Sequence, residues 1–246
     1  MQATHWTEKY KVTSFLVNLR GQAGLYSILN FIQDVGWMHA IHMGVKLEKN
    51  QTWVFTRQKL IMNEWPKWNE TVTIKTWLRA PTSELFFYRD YELFNGEKKI
   101  GECTSTFTVM DLTTRKLTTV NWRNLGAVWP ETSPLQMVPQ KIVIDSEMAE
   151  LATFQVRNSD IDMNNHVNNT RYAQWVLDSL PIEILKGGVD LIEYEVNFLA
   201  ETKIGDVVSV QKTKVDPEID ERTHIKFQGI KVADQRPAFA VQMIVK

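Results

Sequence analysis

The sequence predicts an α+β fold built from one repeated unit, a helix followed by an antiparallel sheet. Three observations predict it. Residues 25–35 and 169–180 carry apolar side chains at helical spacing. Each of these stretches is followed by four runs in which apolar and polar residues alternate, the period of a half-buried strand. Finally, Lys67-Trp-Asn-Glu-Thr-Val after the first helix has a counterpart in Lys203-Ile-Gly-Asp-Val-Val after the second. A duplication accounts for all three; a single domain with accidental symmetry is the alternative.

In the first unit, residues 5–18 read as extended, with Tyr10, Val12, Phe15 and Val17 among polar neighbours. Leu25, Ile28, Leu29, Ile32 and Val35 form one buried helical stripe. Gly44 suits the left-handed cap that ends such a helix. Strands are predicted at 52–62, 71–79, 84–94 and 99–111, with Val72, Ile74 and Leu78 on one face. Asn95-Gly96 marks the hairpin between the third and fourth.

The second unit repeats this order. An extended stretch at 151–157 precedes a helix from Asn169 to Leu180, with Tyr172, Trp175, Val176 and Ser179 on one stripe. Pro181 and Gly187-Gly188 close it. Strands follow at 189–199, 205–215, 222–231 and 237–245, where Thr223, Ile225 and Phe227 alternate with Arg222, His224 and Lys226. Tyr26 to Glu70 spans 44 residues and Tyr172 to Asp206 spans 34, and the loop from Val45 to Gln51 is expected to hold most of the difference. The predicted division is 1–117, a connection at 118–150 with Pro130, Pro134 and Pro139 and little periodicity, and 151–246.

Composition narrows the function classes. A net charge of −1 supplies no field toward nucleic acid or an anionic membrane, and no basic run occurs. The lone Cys103 excludes a disulfide within the chain and a multi-thiolate zinc site. The start, Met1 to Thr7, lacks the basic-then-apolar layout of a secretory signal, and no run nears the ~20 apolar residues of a bilayer span. The expectation is a cytoplasmic protein.

The most unusual segment runs from Asp160 to Tyr172, largely polar yet leading into an apolar helix. Asp162, Asn164 and His166 occupy alternate positions, so in an extended loop their side chains share one direction. Asn168 or Asn169 is placed to cap the helix. A histidine, the side chain type able to shuttle protons, an amide donor and helix-end N–H groups suit acyl transfer to water. The structural alternative is a run of turn and cap residues. Two candidate metal ligands, Asp162 and His166, lack a second histidine cluster nearby, so neither metal nor cofactor is expected.

The stretch Asp162-Met-Asn-Asn-His-Val-Asn-Asn-Thr-Arg-Tyr-Ala-Gln-Trp-Val-Leu-Asp-Ser resembles the signature of plant and bacterial acyl-acyl carrier protein thioesterases. Trp53-Val-Phe-Thr-Arg, Trp65-Pro-Lys-Trp and Val72-Thr-Ile-Lys-Thr-Trp are similar to the family's N-terminal half, so the resemblance covers about 5–245. It implies a tandem hotdog fold, with catalytic residues Asp162, Asn164, His166 and, after a one-residue shift from the plant spacing, Glu201. Where plant members have cysteine after that glutamate, this chain has Thr202. That difference points to direct attack by water, with Glu201 as base sharing the proton with His166, Asn164 positioning the carbonyl or the water, and Asp162 orienting the loop. Thr202 as nucleophile is the alternative.

In the first unit, Asn18, Arg20 and Gln22 stand where the acid and histidine stand in the second, so one active site per chain is expected. The first unit would shape an acyl tunnel, with Trp37, Trp53, Phe55 and Phe86 as lining candidates. His39 and His42 read as packing or surface residues. The resemblance implies an acidic acyl carrier protein as partner, for which Arg157 and Arg171 are candidate contacts. A homodimer of tandems and a monomer both fit. The rival functions are an acyl-CoA thioesterase of the same fold and a module that binds acyl thioesters without cleaving them.

Overall fold

The computed structural model describes residues 4–144, 147–187, 190–213 and 223–246. Gly188, Arg222 and the expected strand ends at 189 and 214–215 lie outside them. The first unit runs β1 (His5–Lys11), α1 (Leu25–Met43), β2 (Gln51–Met62), β3 (Thr71–Leu78), β4 (Phe87–Asn95), β5 (Lys98–Asp111) and the short β6 (Leu117–Thr118). The second runs β7 (Met148–Gln155), α2 (Thr170–Asp178), α3 (Ile182–Gly187), β8 (Leu191–Phe198), β9 (Val207–Thr213), β10 (Thr223–Lys231) and β11 (Pro237–Val245). No helix among the described residues is long and apolar enough to cross a membrane.

All these strands join one antiparallel sheet in the order β1-β3-β4-β5-β2-β8-β11-β10-β9-β7, with β6 on β5. Each unit is a hotdog, a sheet curled around its helix, and the tandem is closed where β2 pairs with β8, from Arg57 opposite Asn197 to Ile61 opposite Glu193. The expected hairpin at Asn95-Gly96 joins β4 to β5, with Gly96 at φ 61°. Gly44 caps α1 at φ 60°, its N–H donating to the Ile41 carbonyl.

The helical stripe is buried as its spacing requires: Ile28, Ile32 and Val35 are fully covered, packed with Leu60, Ile74 and Leu93 of the sheet. Covering each such side chain contributes roughly 1.5–3 kcal/mol. Gly36 lets α1 come close to β4, for a Cβ there would lie 2.9 Å from the Tyr91 hydroxyl. The extra length of the first unit lies in α1, 19 residues against 9 in α2, and in β2, 12 against 8 in β8, rather than mainly in the loop at 45–51. The second unit adds α3 after Pro181 instead, where the sequence reading placed only a helix end.

Much of the connection between the units is strapped to the sheet, not simply laid over it. Asp90, fully buried, accepts from Arg79 through Nε and Nη2, from Thr104 and from Ser133; Ser133 in turn accepts from Trp77 Nε1. Asn197 exchanges hydrogen bonds with the backbone of Gln140 and Ile142 directly behind the seam.

Candidate active site

The segment ahead of α2 is a closed loop, not the extended run expected from its alternation. Ile161 and Val167 form an isolated antiparallel bridge, Asp162 N–H donates to the His166 carbonyl at 2.9 Å, and Asn165 N–H to the Asp162 carbonyl at 3.0 Å. Asn165 takes φ 62°, the left-handed conformation asparagine tolerates better than most residues. The Asp162 carboxylate sits inside the turn. Its Oδ1 accepts from Asn164 N at 2.8 Å and His166 N at 3.5 Å, and its Oδ2 meets Asn164 Nδ2 at 3.4 Å. Asp162 thus sets the backbone that carries Asn164 and His166. Asn168 does the capping, its Oδ1 accepting from Thr170 N and Thr170 Oγ1, while Thr170 Oγ1 also meets Asn30 of α1.

Glu201 follows the end of β8. The bond from Val167 N–H to the Thr202 carbonyl, 2.9 Å, ties the loop to this strand end. It brings His166 Nε2 to 3.4 Å from Glu201 Oε2, with both side chains about a third exposed. The same oxygen receives Arg115 Nη2 at 2.9 Å and lies 3.9 Å from Lys203 Nζ. Partial burial works to raise the Glu201 pKa, but the Arg115 hydrogen bond and the charges of His166, Arg115 and Lys203 together hold it below its ordinary value. The carboxylate is therefore ionised throughout the neutral range. Oε1 has no ion pair or hydrogen bond among the described residues.

Arg115 escaped the sequence reading. It stands at the β5–β6 turn with φ 56°, 86 positions from Glu201. Its local sequence, Asp-Leu-Thr-Thr-Arg-Lys, reads as an ordinary turn; only the pairing of the two units brings it to the site.

The first unit repeats the loop bond for bond. Val17 and Ala23 form the bridge, Asn18 N–H donates to the Gln22 carbonyl, and Gly21 N–H to the Asn18 carbonyl. Asn18 Oδ1 accepts from the Arg20 and Gln22 amides, as Asp162 Oδ1 does from Asn164 and His166. Ala23 N–H donates to the Pro66 carbonyl as Val167 does to Thr202, which places Trp65 where Glu201 stands. Trp65 directs its Nε1 to the Leu191 carbonyl at 3.0 Å. This copy holds neither carboxylate nor imidazole.

The remaining candidates fall in different places. Arg157 is exposed beside the loop. Arg171 is engaged within the fold: it donates to Gln174 and the Ser159 carbonyl and stacks 4.8 Å over Tyr26. Trp53 is partly buried on β2, edge-on to Phe87 at 5.1 Å. Phe55 stacks on Phe107 and touches Phe198, both at 4.8 Å; Trp37 is 47% exposed and stands outside this group. Thr202 is fully buried beside Tyr172, whose hydroxyl burial pushes up to about 12. A threonine without solvent access is a poor nucleophile for a large substrate. His39 is buried and His42 packs on the Trp6 ring. No cluster of three metal-ligating side chains occurs among the described residues.

Comparison with known proteins agrees with this architecture. The acyl-ACP thioesterase N-terminal domain matches residues 3–123 and the acyl-ACP thioesterase C-terminal domain residues 144–240. The oleoyl-acyl carrier protein thioesterase of Coriandrum sativum is 28% identical over 89% of this chain and 64% of its own length. An oleoyl-acyl carrier protein thioesterase of Arabidopsis thaliana is 30% identical over 73% of this chain and 56% of its own. The chain thus spans between about half and two thirds of these curated relatives. Among solved structures, an acyl-ACP thioesterase of Bacteroides thetaiotaomicron superposes with TM-score 0.85 at 26% identity, covering 99% of this chain and 98% of that one. The 12:0-ACP thioesterase of Umbellularia californica shares the fold with TM-score 0.84 at 16% identity, covering 100% and 95%.

Proposed function

Because the chain belongs to the acyl-acyl carrier protein thioesterase family, we propose that it hydrolyses the thioester of a fatty acyl-acyl carrier protein, releasing free fatty acid and the carrier thiol. The observation that carries this reading is the meeting of His166 and Glu201 at 3.4 Å, partly open to solvent ahead of α2. Water attacks the carbonyl carbon, the tetrahedral oxyanion collapses, and the C–S bond breaks. The proton from water passes to the leaving sulfur. Asn164, whose amide is held only loosely at 3.4 Å from Asp162, can turn to the carbonyl oxygen. Arg157 is the candidate contact for an acidic carrier surface.

A carboxylate held below its ordinary pKa is a weak base. We therefore assign proton abstraction to His166, with Glu201 steadying the imidazolium that forms. One observation favours the second reading, in which Glu201 is itself the base: Oε1 is left open while Oε2 takes all three cationic contacts.

Thiol release from acyl-carrier substrates by Glu201→Gln and His166→Asn variants separates the two. With His166 as base, His166→Asn loses about 10²–10⁴-fold and Glu201→Gln keeps part of the rate. Complete loss in Glu201→Gln with substrate still bound assigns the base to Glu201. Wild-type rates in both would remove the site altogether, and equal rates on acyl-CoA would remove the preference for a carrier protein.

A further inference from the structure

The His166–Glu201 pair has one buried flank and one open flank. On the buried side lie Thr202, fully covered, and Tyr172 beside it. On the open side lie the side chains of Arg115 and Lys203, 54% and 57% exposed. An apolar acyl chain settles toward the covered side, and a thiol on a polar arm stays toward water. The scissile C–S bond of a bound thioester therefore turns its sulfur to the two cations.

Charge at this point is unbalanced. Glu201 is the one carboxylate within ion-pair distance of either Arg115 or Lys203 among the described residues. Lys231 also reaches this strand end, through the Glu201 carbonyl, but is neutralised by Asp206 at 2.9 Å. One carboxylate thus faces two permanent cations, and the centre holds surplus positive charge before substrate enters. Hydrolysis creates negative charge twice, on the oxyanion and then on the departing sulfur. Asn164 serves the first. The second develops on the flank where the surplus lies.

The backbone fixes where Arg115 stands. Asp111 pins its turn, the carboxylate accepting from the N–H groups of Thr113 and Thr114 at 3.0 and 2.7 Å. The Arg115 N–H donates to the Asp111 carbonyl at 2.9 Å. A guanidinium carries five N–H donors in a rigid fork. Glu201 engages Nη2, while Nε and Nη1 make no hydrogen bond or ion pair among the described residues. The fork is anchored at one corner and has donors left for a second anion.

We propose that Arg115 is a catalytic residue contributed by the first unit: its guanidinium faces the thioester sulfur and holds the thiolate as the C–S bond breaks. The proposal rests on the thioesterase reading above. By then the oxygen of water is bonded to the carbonyl carbon and its proton is on His166. The electron pair of the C–S bond passes to sulfur. The thiolate stays beside Arg115 until the His166 imidazolium returns the proton, giving free thiol and fatty acid. A free alkyl thiol titrates at about 8.5, so its anion gains from a fixed cation near neutral pH. Lys203, a point charge on a flexible stem, adds to the field without a fixed donor pair.

The test compares two thioesters of one acyl chain, made with N-acetylcysteamine and with thiophenol. The aryl thiolate is the more stable anion and needs less help to leave. Rates are read at a pH above the acid limb of every variant, where Glu201 is ionised in all. Arg115→Gln is expected to lower kcat on the alkyl thioester about tenfold or more, solvent screening keeping the loss below that of a buried oxyanion donor. KM changes little, and the loss on the aryl thioester is much smaller. Arg115→Lys restores part of the alkyl rate. Equal losses on both thioesters overturn the proposal, because a residue that only steadies Glu201 slows both alike; an unchanged alkyl rate overturns it too. Should Arg115→Gln fail to fold, Arg115→Lys, which keeps the charge without the fork, carries the same comparison. A wild-type protein that cleaves no thioester, acyl-carrier substrates included, removes the function and this proposal with it. Cleavage with losses independent of the thiol removes the proposal alone.

Discussion

Arg115 of the first unit donates to Glu201 of the second at 2.9 Å, so the carboxylate of the candidate site is neutralised by a residue from the opposite half of the molecule. His166 and Lys203 share the same oxygen, and Arg115 makes the shortest of the three contacts.

Removing Arg115 shifts the pH dependence in a defined direction. Glu201 has its pKa lowered, so its ionised form is fully present above the ordinary carboxylate value and is lost only as pH falls through the lowered one. Arg115→Ala takes away the strongest lowering contact. The acid limb of kcat/KM against pH is expected to begin at higher pH in the variant than in wild type. The difference shrinks with added salt, because the pair is partly exposed. Superimposable limbs at low salt would show that Glu201 ionisation does not govern activity.

The duplicated loop offers an internal control. Asp162→Ala and Asn18→Ala each remove a side-chain acceptor for two backbone N–H groups in the same turn. Each is expected to cost about 1 kcal/mol in denaturant unfolding. Only Asp162→Ala should also lower kcat/KM, by roughly 10²-fold, since only that loop carries His166. Equal activity loss in both variants would mean that the effect is structural.

Asn165 occupies a left-handed position that Gly21 fills in the first unit. Asn165→Gly should fold and turn over much like wild type. Asn165→Val forces a β-branched residue into that conformation at a cost of about 1–2 kcal/mol, with a fall in kcat as the His166 backbone moves. Thermal melts beside steady-state rates check both; a Val variant as stable as wild type would mean the loop can relax.

Asp90 is the most heavily bonded buried carboxylate described, and Arg79 faces it through two nitrogens. Asp90→Ala leaves that guanidinium without its anion and frees Ser133 in the connecting strap. A loss of about 3–5 kcal/mol is expected, read from urea midpoints at unchanged m. A loss below 1 kcal/mol would show that water replaces the carboxylate.

The helix, strand and hairpin positions were legible because each depends on local pattern. Alternation in Val72 to Leu78, the stripe from Leu25 to Val35 and the turn at Asn95-Gly96 all follow from covalent geometry and side-chain periodicity. The likeness of the two loops was legible too, since Asn18, Arg20 and Gln22 keep the spacing of Asp162, Asn164 and His166. What could not be read was anything set by strand order. Arg115 reaches Glu201 only because β5 lies beside β2 and β2 beside β8, and Phe87 rather than Phe86 faces Phe107 because of the register between β4 and β5. The closed form of the catalytic loop also escaped, because alternate polar residues fit an extended run and a tight turn equally well.

The β2–β8 ladder has a consequence for how the molecule could be taken apart. A protease cut in the stretch between β6 and β7 would sever the polypeptide without freeing either piece, because the ladder and the Asn197 clasp would still grip. Expressed separately, by contrast, each piece would bare a full-length unpaired strand edge at β2 or β8, an invitation to self-association. The nicked protein is thus expected to stay a soluble, cooperative whole, while the same two pieces made apart would precipitate.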